Sequence, residues 1–352
     1  MSVRSELMNE VTAFPLREAQ EIAIGFIKPK PMIYWTDFLL SAALGWASFV
    51  LAVTAPAFSL MQIGGAVISA LALYRAAIFT HELAHLKRGS FGAFRFVWNL
   101  LCGVPLMVPS FTYSGVHLDH HRSNIYGTRQ DGEYIAFAVS RPVNIITYMF
   151  LIFLLPLLMA SRFIILTPLS YFIPPLRRLI WSRLSSLAID LSYQRPASGK
   201  RDDASWRLQE FSAFVFGACV IVLTVLGVLP VSVIILWYAV AVMIFLLNSL
   251  RTLAAHAYRN PGDVPMSREE EFLDSVNVPG APVLTALWAP VGLRFHATHH
   301  LFPSMPYHEL AKAHRALVQR LPNNTLYLSA SRKSLLNALS RLWNESRQAT
   351  VK

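Results

Sequence analysis

Apolar and polar positions along this chain come in long blocks, not in the alternation of a surface strand. Two apolar runs, Met32 to Pro56 and Phe58 to Thr80, are joined by the uncharged link Thr54-Ala-Pro-Ala-Phe58. Two more, Phe211 to Leu226 and Val231 to Leu250, are joined by Gly227-Val-Leu-Pro230. A helix crosses a hydrocarbon core of about 30 Å with roughly 20 residues at about 1.5 Å each. The pattern therefore predicts transmembrane helices over about 32–55, 58–80, 211–227 and 231–250. The stretch Phe91–Phe111 is apolar but broken by Arg95, Gly103, Pro105 and Pro109, which predicts an interfacial or re-entrant segment. Val143 to Pro174 is apolar too, yet contains Pro156, Arg162, Pro168 and Pro174.

Charge sets the expected topology. No Lys or Arg lies between Met32 and Tyr74, and none between Leu208 and Leu250. The turns inside both hairpins are bare, as turns on the translocated side should be. Arg122, Arg129 and Arg141 precede the 143–174 stretch, and Arg177, Arg178, Arg183, Arg195, Lys200, Arg201 and Arg207 follow it. Basic residues at both ends place both in the cytoplasm, so 143–174 is expected to be re-entrant or surface-lying. The expectation is an all-α membrane protein: four transmembrane helices in two hairpins, with a cytosolic helical cap. Residues 1–31 are expected to form a cytosolic N-terminal segment without the basic-then-apolar order of a cleaved leader. Residues 32–320 form the membrane domain, and 321–352 a cytosolic C-terminal helix or tail.

Composition agrees. Of 352 residues, 54% are hydrophobic and 14% charged, against about 25% charged in a soluble domain. The net charge of +11 flanks membrane segments and forms no stripe with interleaved aromatics, so nucleic acid is not an expected partner. The two cysteines, Cys102 and Cys219, provide neither a disulfide framework nor a thiolate site, so metal ligands should be nitrogen or oxygen.

Histidine is where the chemistry concentrates. Nine of the eleven fall in four places: His81-Glu-Leu-Ala-His85, His117-Leu-Asp-His120-His121, the lone His256, and His296-Ala-Thr-His299-His300. Spacings of three and four put imidazoles on one helix face, and imidazole suits iron, zinc, copper and nickel. His256 lies just past the inner end of the last span, at the depth of His81, and is expected to join the metal site. Histidines that share a site must end on one side of the membrane. The chain from His121 to His256 must then cross an even number of times, which again leaves 143–174 as the run that does not cross. Metal-bound histidines usually donate their other ring N–H to a carboxylate or carbonyl. Asp131 and Glu133 are the expected orienting acids, with Glu82, Asp119 and Asp274 also close in sequence. Thr252 and Asn248, one and two turns before His256, are further candidates for contacts behind the ligands. His308 and His314 read as structural surface residues on an amphipathic helix.

In these boxes the chain resembles the membrane-bound fatty acid desaturase and hydroxylase family, whose mark is HxxxH, HxxHH and HxxHH. The matching positions are His81–His85, His117–His121 and His296–His300. The run His299-His-Leu-Phe-Pro-Ser-Met-Pro-Tyr307 and the stretch Asn248–His256 are similar to bacterial members. The acyl-CoA branch of the family carries an asparagine where this chain has Thr252, and its first box is wider. Both departures point to a bacterial-type enzyme acting on lipid-linked chains. The resemblance, which spans roughly 32–320, implies two iron ions at the cytosolic face, held by His81, His85, His117, His120, His121, His256, His296, His299 and His300. It also implies an oxygen-dependent oxidoreductase that places a double bond in an acyl chain carried by a membrane lipid or thioester. Hydroxylation of a lipid, alkane or carotenoid is the close alternative, since both reactions begin with the same hydrogen abstraction. With two cysteines the chain cannot hold a four-cysteine cluster. Electrons are therefore expected from a separate ferredoxin- or cytochrome-type donor. The expected setting is a bacterial inner membrane with a cytosolic active site.

Two other classes compete with this reading. His81-Glu82-Leu-Ala-His85 also reads as HExxH, the zinc-protease motif with Glu82 as base, but this leaves the other grouped histidines without a purpose. A metal transporter would hold its ion near mid-membrane, whereas these histidines stand at span ends.

Overall fold

The computed structural model describes residues 14–87, 91–196, 203–262, 264–322 and 324–351. Residues 1–13 of the expected N-terminal segment, and Lys200 and Arg201 of the basic stretch, lie outside them. Among the described residues the chain is helical, and its extended pairings are isolated bridges only. It is an all-α membrane protein, and its contacts divide it into two compact units.

The apolar unit comprises Pro31–His117 and Tyr148–Leu247. Its first hairpin pairs α1 (Pro31–Thr54) with α2 (Leu60–His85). Small faces let them approach: a Cβ on Gly65 would meet the Ser48 carbonyl at 3.0 Å. Arg75 on α2 forms a two-pronged ion pair with Asp37 on α1, at 2.7 and 2.6 Å, so the charges neutralise each other inside the hairpin. Near the end of α2 the rings of Phe38, Phe79 and Phe94 meet edge to face with centroids 5.2–5.8 Å apart. Arg95 and Trp98 in the following short helix donate to the carbonyls of Leu83 and Ala76. The end of α2 that carries His81 and His85 is thus braced on two sides.

The 143–174 segment is a more regular helix than its prolines predict. α3 (Phe111–His120) is followed by α4 (Pro142–Ser161), which continues through a π-helical turn at Arg162–Leu166 into Thr167–Ser170. The whole, Pro142–Ser170, is a 29-residue helix and a fifth candidate span by length and composition. Its prolines do not break it. Pro156 costs one backbone hydrogen bond, and Pro168 sits in the turn after the π-helical stretch, where irregular geometry tolerates it. Arg162 is fully partnered. Its guanidinium donates to Glu210 at 2.5 Å, Thr167 at 2.5 Å, Ser185 at 3.1 Å and the Leu184 carbonyl at 2.8 Å. Glu210, which also accepts from Arg177 at 2.7 Å, belongs to α5 (Asp203–Val225). A buried charge is tolerated when paired and fully hydrogen-bonded.

The polar unit comprises Met1–Lys30, Leu118–Thr147 and Asn248–Lys352. The last residues of α6 (Ser232–Ala255) enter it and end at His256. A capping box, with Ser267 accepting from Glu270 N–H and Glu270 from Ser267 N–H, starts α7 (Arg268–Asp274). The chain then runs extended, and the bridges His256 to Ser275 and Asn277 to Phe295 align three segments. Val291 and Gly292 both take positive φ just before α8 (His296–Leu301). This is strained for a β-branched residue. A Cβ on Gly292 would stand 2.8 Å from Leu310 and 3.0 Å from the Tyr307 carbonyl, so glycine is needed for that close packing. Phe272, Leu301, Leu317 and Tyr327 form the core between α7, α8 and α9 (Tyr307–Arg320). The chain's last described helix is α10 (Leu335–Val351).

Candidate metal sites

The polar unit brings His120, His256, His296 and His300 together. All four are buried, and their ligand atoms lie within 4.8 Å of one another. The His256 and His296 Nε2 atoms are 2.9 Å apart, and those of His296 and His300 are 3.0 Å apart. His121 and His299 face each other in the same unit with Nε2 atoms at 3.1 Å. His121, His300 and Glu271 form a further close group.

What stands behind these rings decides where their lone pairs point. His120 Nδ1 contacts the Asp131 carboxylate at 2.8 Å, and His300 Nδ1 contacts Glu271 at 2.6 Å. His256 Nδ1 lies 2.8 Å from the Tyr126 hydroxyl and 3.3 Å from Ser275 Oγ. The Tyr126 hydroxyl in turn donates to Asp274 at 3.2 Å, and Tyr134 donates to the same carboxylate at 2.8 Å. With each Nδ1–H donated outward, Nε2 is left with an inward lone pair. Burial and the neighbouring imidazoles hold His300 well below the ordinary histidine range. Burial, His120 and Arg251 do the same for His256, so both rings are neutral. His120 is the exception. Burial lowers its pKa, but Asp131, with Glu133 and Glu271, outweighs this and pushes it up to about 9, so a cation bound there would displace a proton from Nε2.

The spacing tests the fit to a metal. Lone pairs about 3 Å apart repel, and one proton on His296 cannot serve both His256 and His300. A cation among them removes the conflict. Nitrogens bound at about 2.1 Å stand about 3.0 Å apart at right angles and about 3.4 Å apart in a tetrahedron. The separations of 2.9 and 3.0 Å are short enough for these nitrogens to share one cation. The residues present fit a metal ion.

The apolar unit makes its own group. His81 and His85 at the end of α2 meet His117 of α3, with ring centroids 4.5–5.2 Å apart. The His85 and His117 Nε2 atoms are 2.9 Å apart. The group behind His117 is a hydroxyl, that of Tyr113, 3.0 Å from Nδ1 and stacked on the ring. Glu82 is buried and accepts from the Tyr34 hydroxyl at 2.6 Å, with its other oxygen 3.7 Å from His81 Nδ1. A protease base would have to face substrate, so this orientation speaks against the HExxH reading.

Other expected residues resolve as follows. Asp131 stands behind His120, and its own oxygens are fixed by the N–H groups of Gly127 and Glu133. Glu133 therefore contributes its backbone to that brace. Asn248 accepts from Arg251, and the Thr252 carbonyl accepts from Tyr258, so the hydroxyls on His256 are those of Tyr126 and Ser275 instead. His314 is no surface residue: it is buried, its Nδ1 is 2.9 Å from the Tyr327 hydroxyl, and that hydroxyl is 2.6 Å from Thr298 on α8. Asn277 holds the same helix through the N–H of Thr298. His308 accepts from the Lys30 N–H at 3.1 Å. Sequence reasoning did not find Glu271, Tyr126 or Tyr113. Glu271 stands in the acidic run Glu269-Glu-Glu271 of a first helical turn, and only its burial separates it.

Comparison with known proteins bears on these groups. Residues 57–331 match the model of the fatty acid desaturase family. A ceramide hydroxylase of Caulobacter vibrioides (strain NA1000 / CB15N) is 42% identical over 332 residues, covering 94% of this chain and 94% of that protein. No solved structure matches. The histidine boxes, the helical membrane fold and these similarities together establish that the chain belongs to the fatty acid desaturase family.

Proposed function

We propose that this protein is an oxygen-dependent hydroxylase of a ceramide-type membrane lipid that works with two iron ions. Desaturation of an acyl chain was the first expectation from the boxes. The 42% identity to a ceramide hydroxylase, nearly end to end, is the observation that moves the reading to the hydroxylase alternative. In this reading His120, His256, His296 and His300 bind one iron and His81, His85 and His117 the other, with His121 and His299 as further ligands. A donor set of imidazoles with no thiolate among them supports the iron reading.

Bound iron supplies dioxygen chemistry strong enough for an unactivated C–H bond, which side-chain acids and bases do not attack. The chain's own residues hold and shield the ions. Asp131 and Glu271 fix the ring planes of His120 and His300, and Tyr126 fixes His256. Burial of all four rings keeps bulk water from the ligands, and a dry site guards against side reactions. Electrons come from a separate ferredoxin- or cytochrome-type protein, in line with two cysteines that join none of the histidine groups. The setting is a bacterial inner membrane with the site on the cytosolic side.

Lipid analysis tests the reaction. Expression in a ceramide-producing host should yield a ceramide heavier by one oxygen atom, and His296→Ala should abolish it. A product lighter by two hydrogens would restore the desaturase reading.

A further inference from the structure

One feature beside the histidines exceeds what holding their rings requires. Three buried tyrosines surround His256. The ring centroids of Tyr126, Tyr134 and Tyr258 lie 5.7, 6.2 and 5.3 Å from that imidazole. Tyr126 also meets His120 at 5.0 Å and His300 at 5.4 Å, so it touches three of the four rings in the buried group. Tyr126 and Tyr134 lie 5.5 Å apart, and both hydroxyls donate to one buried carboxylate, Asp274. His120 and His300 are backed by carboxylates directly, whereas His256 is backed by a phenol that only then reaches a carboxylate. Holding the ring would need only the carboxylate. A phenol placed between ligand and carboxylate adds one property, which is that it can be oxidised by one electron when its proton has somewhere to go.

We propose that Tyr126 is a redox-active side chain, a one-electron reservoir for the metal bound at His256. The proposal rests on the iron reading given above. The step balances. When dioxygen has oxidised the iron and no lipid occupies the enzyme, one electron passes from the Tyr126 phenol to the oxidised iron, which is reduced by one. The phenol proton crosses its hydrogen bond to the Asp274 carboxylate. The products are a neutral phenoxyl radical and a neutral carboxylic acid. One electron from the enzyme's external reductant, with return of that proton, restores the starting state. The ring contacts are short enough for direct transfer, and no ordered water is required between Tyr126 and Asp274. The role is protective: oxidising equivalents that find no substrate are taken up by a replaceable phenol, not by the ligand imidazoles.

The test uses the full chain in detergent, loaded with iron and with its iron content measured first. The reduced protein is mixed with dioxygen in the absence of lipid, frozen rapidly and examined by electron paramagnetic resonance. The expected result is a tyrosyl radical whose hyperfine lines change when the protein is made with ring-deuterated tyrosine. Tyr126→Phe should lose the signal while Tyr134→Phe keeps it. Mass spectrometry after repeated exposure should show oxidised histidine at the boxes in Tyr126→Phe and not in the parent. If Tyr126→Phe binds no iron, 3-fluorotyrosine placed at position 126 keeps the hydroxyl and should alter the hyperfine pattern. An unaltered pattern refutes the assignment. Protein that holds iron, consumes dioxygen and forms no tyrosyl radical overturns this inference and leaves the hydroxylase reading standing. Protein that binds no iron at all removes both.

Discussion

The two histidine groups are supported in different ways. In the polar unit, His120, His256 and His300 come from separate chain segments, and two of them are held by buried carboxylates. In the apolar unit, His81 and His85 share one helix, and the group behind His117 is the Tyr113 hydroxyl. A carboxylate behind an imidazole raises its basicity and fixes its tautomer, and a hydroxyl does this more weakly. One group is thus preorganised by charge, and the other by the stiffness of a braced helix end. Imidazoles of one chemistry are held in place by different physics in the two units.

The largest effects should come from the ligands themselves. His120→Ala and His85→Ala should each lower product formation by more than about a hundredfold and remove about one iron of two, an effect at or beyond the upper end of losses seen around metal sites. If only His120→Ala lowers iron, the apolar-unit group is not a metal site, and the comparison fails outright.

Removing a supporting group comes next. Asp131→Asn and Glu271→Gln should each weaken metal binding by about 10–100-fold, measured by chelator competition. Tyr113→Phe should cost less than about tenfold on the same scale. An equal loss in all three variants would erase the distinction between charge and stiffness.

A smaller effect should arise one layer further out. Tyr327→Phe breaks the chain from His314 to Thr298 that steadies α8 and should destabilise the protein by about 1–3 kcal/mol, the cost of leaving buried polar groups unsatisfied. Thermal melting in detergent reads it, and unchanged melting would mean that α8 is held by its apolar packing alone.

The smallest is a pH dependence. Burial first, and then the positive charges of Arg294 and Arg315, push the His314 pKa down to about 4. Against an unfolded value of about 6.5, the folded state resists protonation. The stability carried by the neutral ring is whole above about pH 6.5 and declines as pH falls toward 4. His314→Gln should therefore melt with a shallower loss between pH 7 and pH 5 than the parent. A parallel loss in both proteins would show that His314 does not sense this range.

Much of the fold was legible because membrane spans announce themselves. The four clean apolar runs became α1, α2, α5 and α6 near their expected bounds. That Pro142–Ser170 forms one continuous helix was not legible, for a physical reason. Arg162 and three prolines read as obstacles to a span, while the partner that neutralises the arginine, Glu210, lies 48 residues away. The histidine boxes were legible because i, i+3 and i+4 spacing is a local signal. The residues behind them were legible only in part. Asp131 is 11 residues from its histidine, and Glu271 is 29 from His300, amid other acids. Tyr126 meets His256 across 130 residues, a distance at which one sequence carries no signal. His314 was misplaced because its amphipathic helix shows period but not which partner covers it.

Iron analysis of purified protein tests the central claim most directly. The parent should hold about two irons per chain, and a variant lacking His120, His296 and His300 should hold about one, retained by the other group. A parent that carries no iron, or a single zinc, would contradict the account.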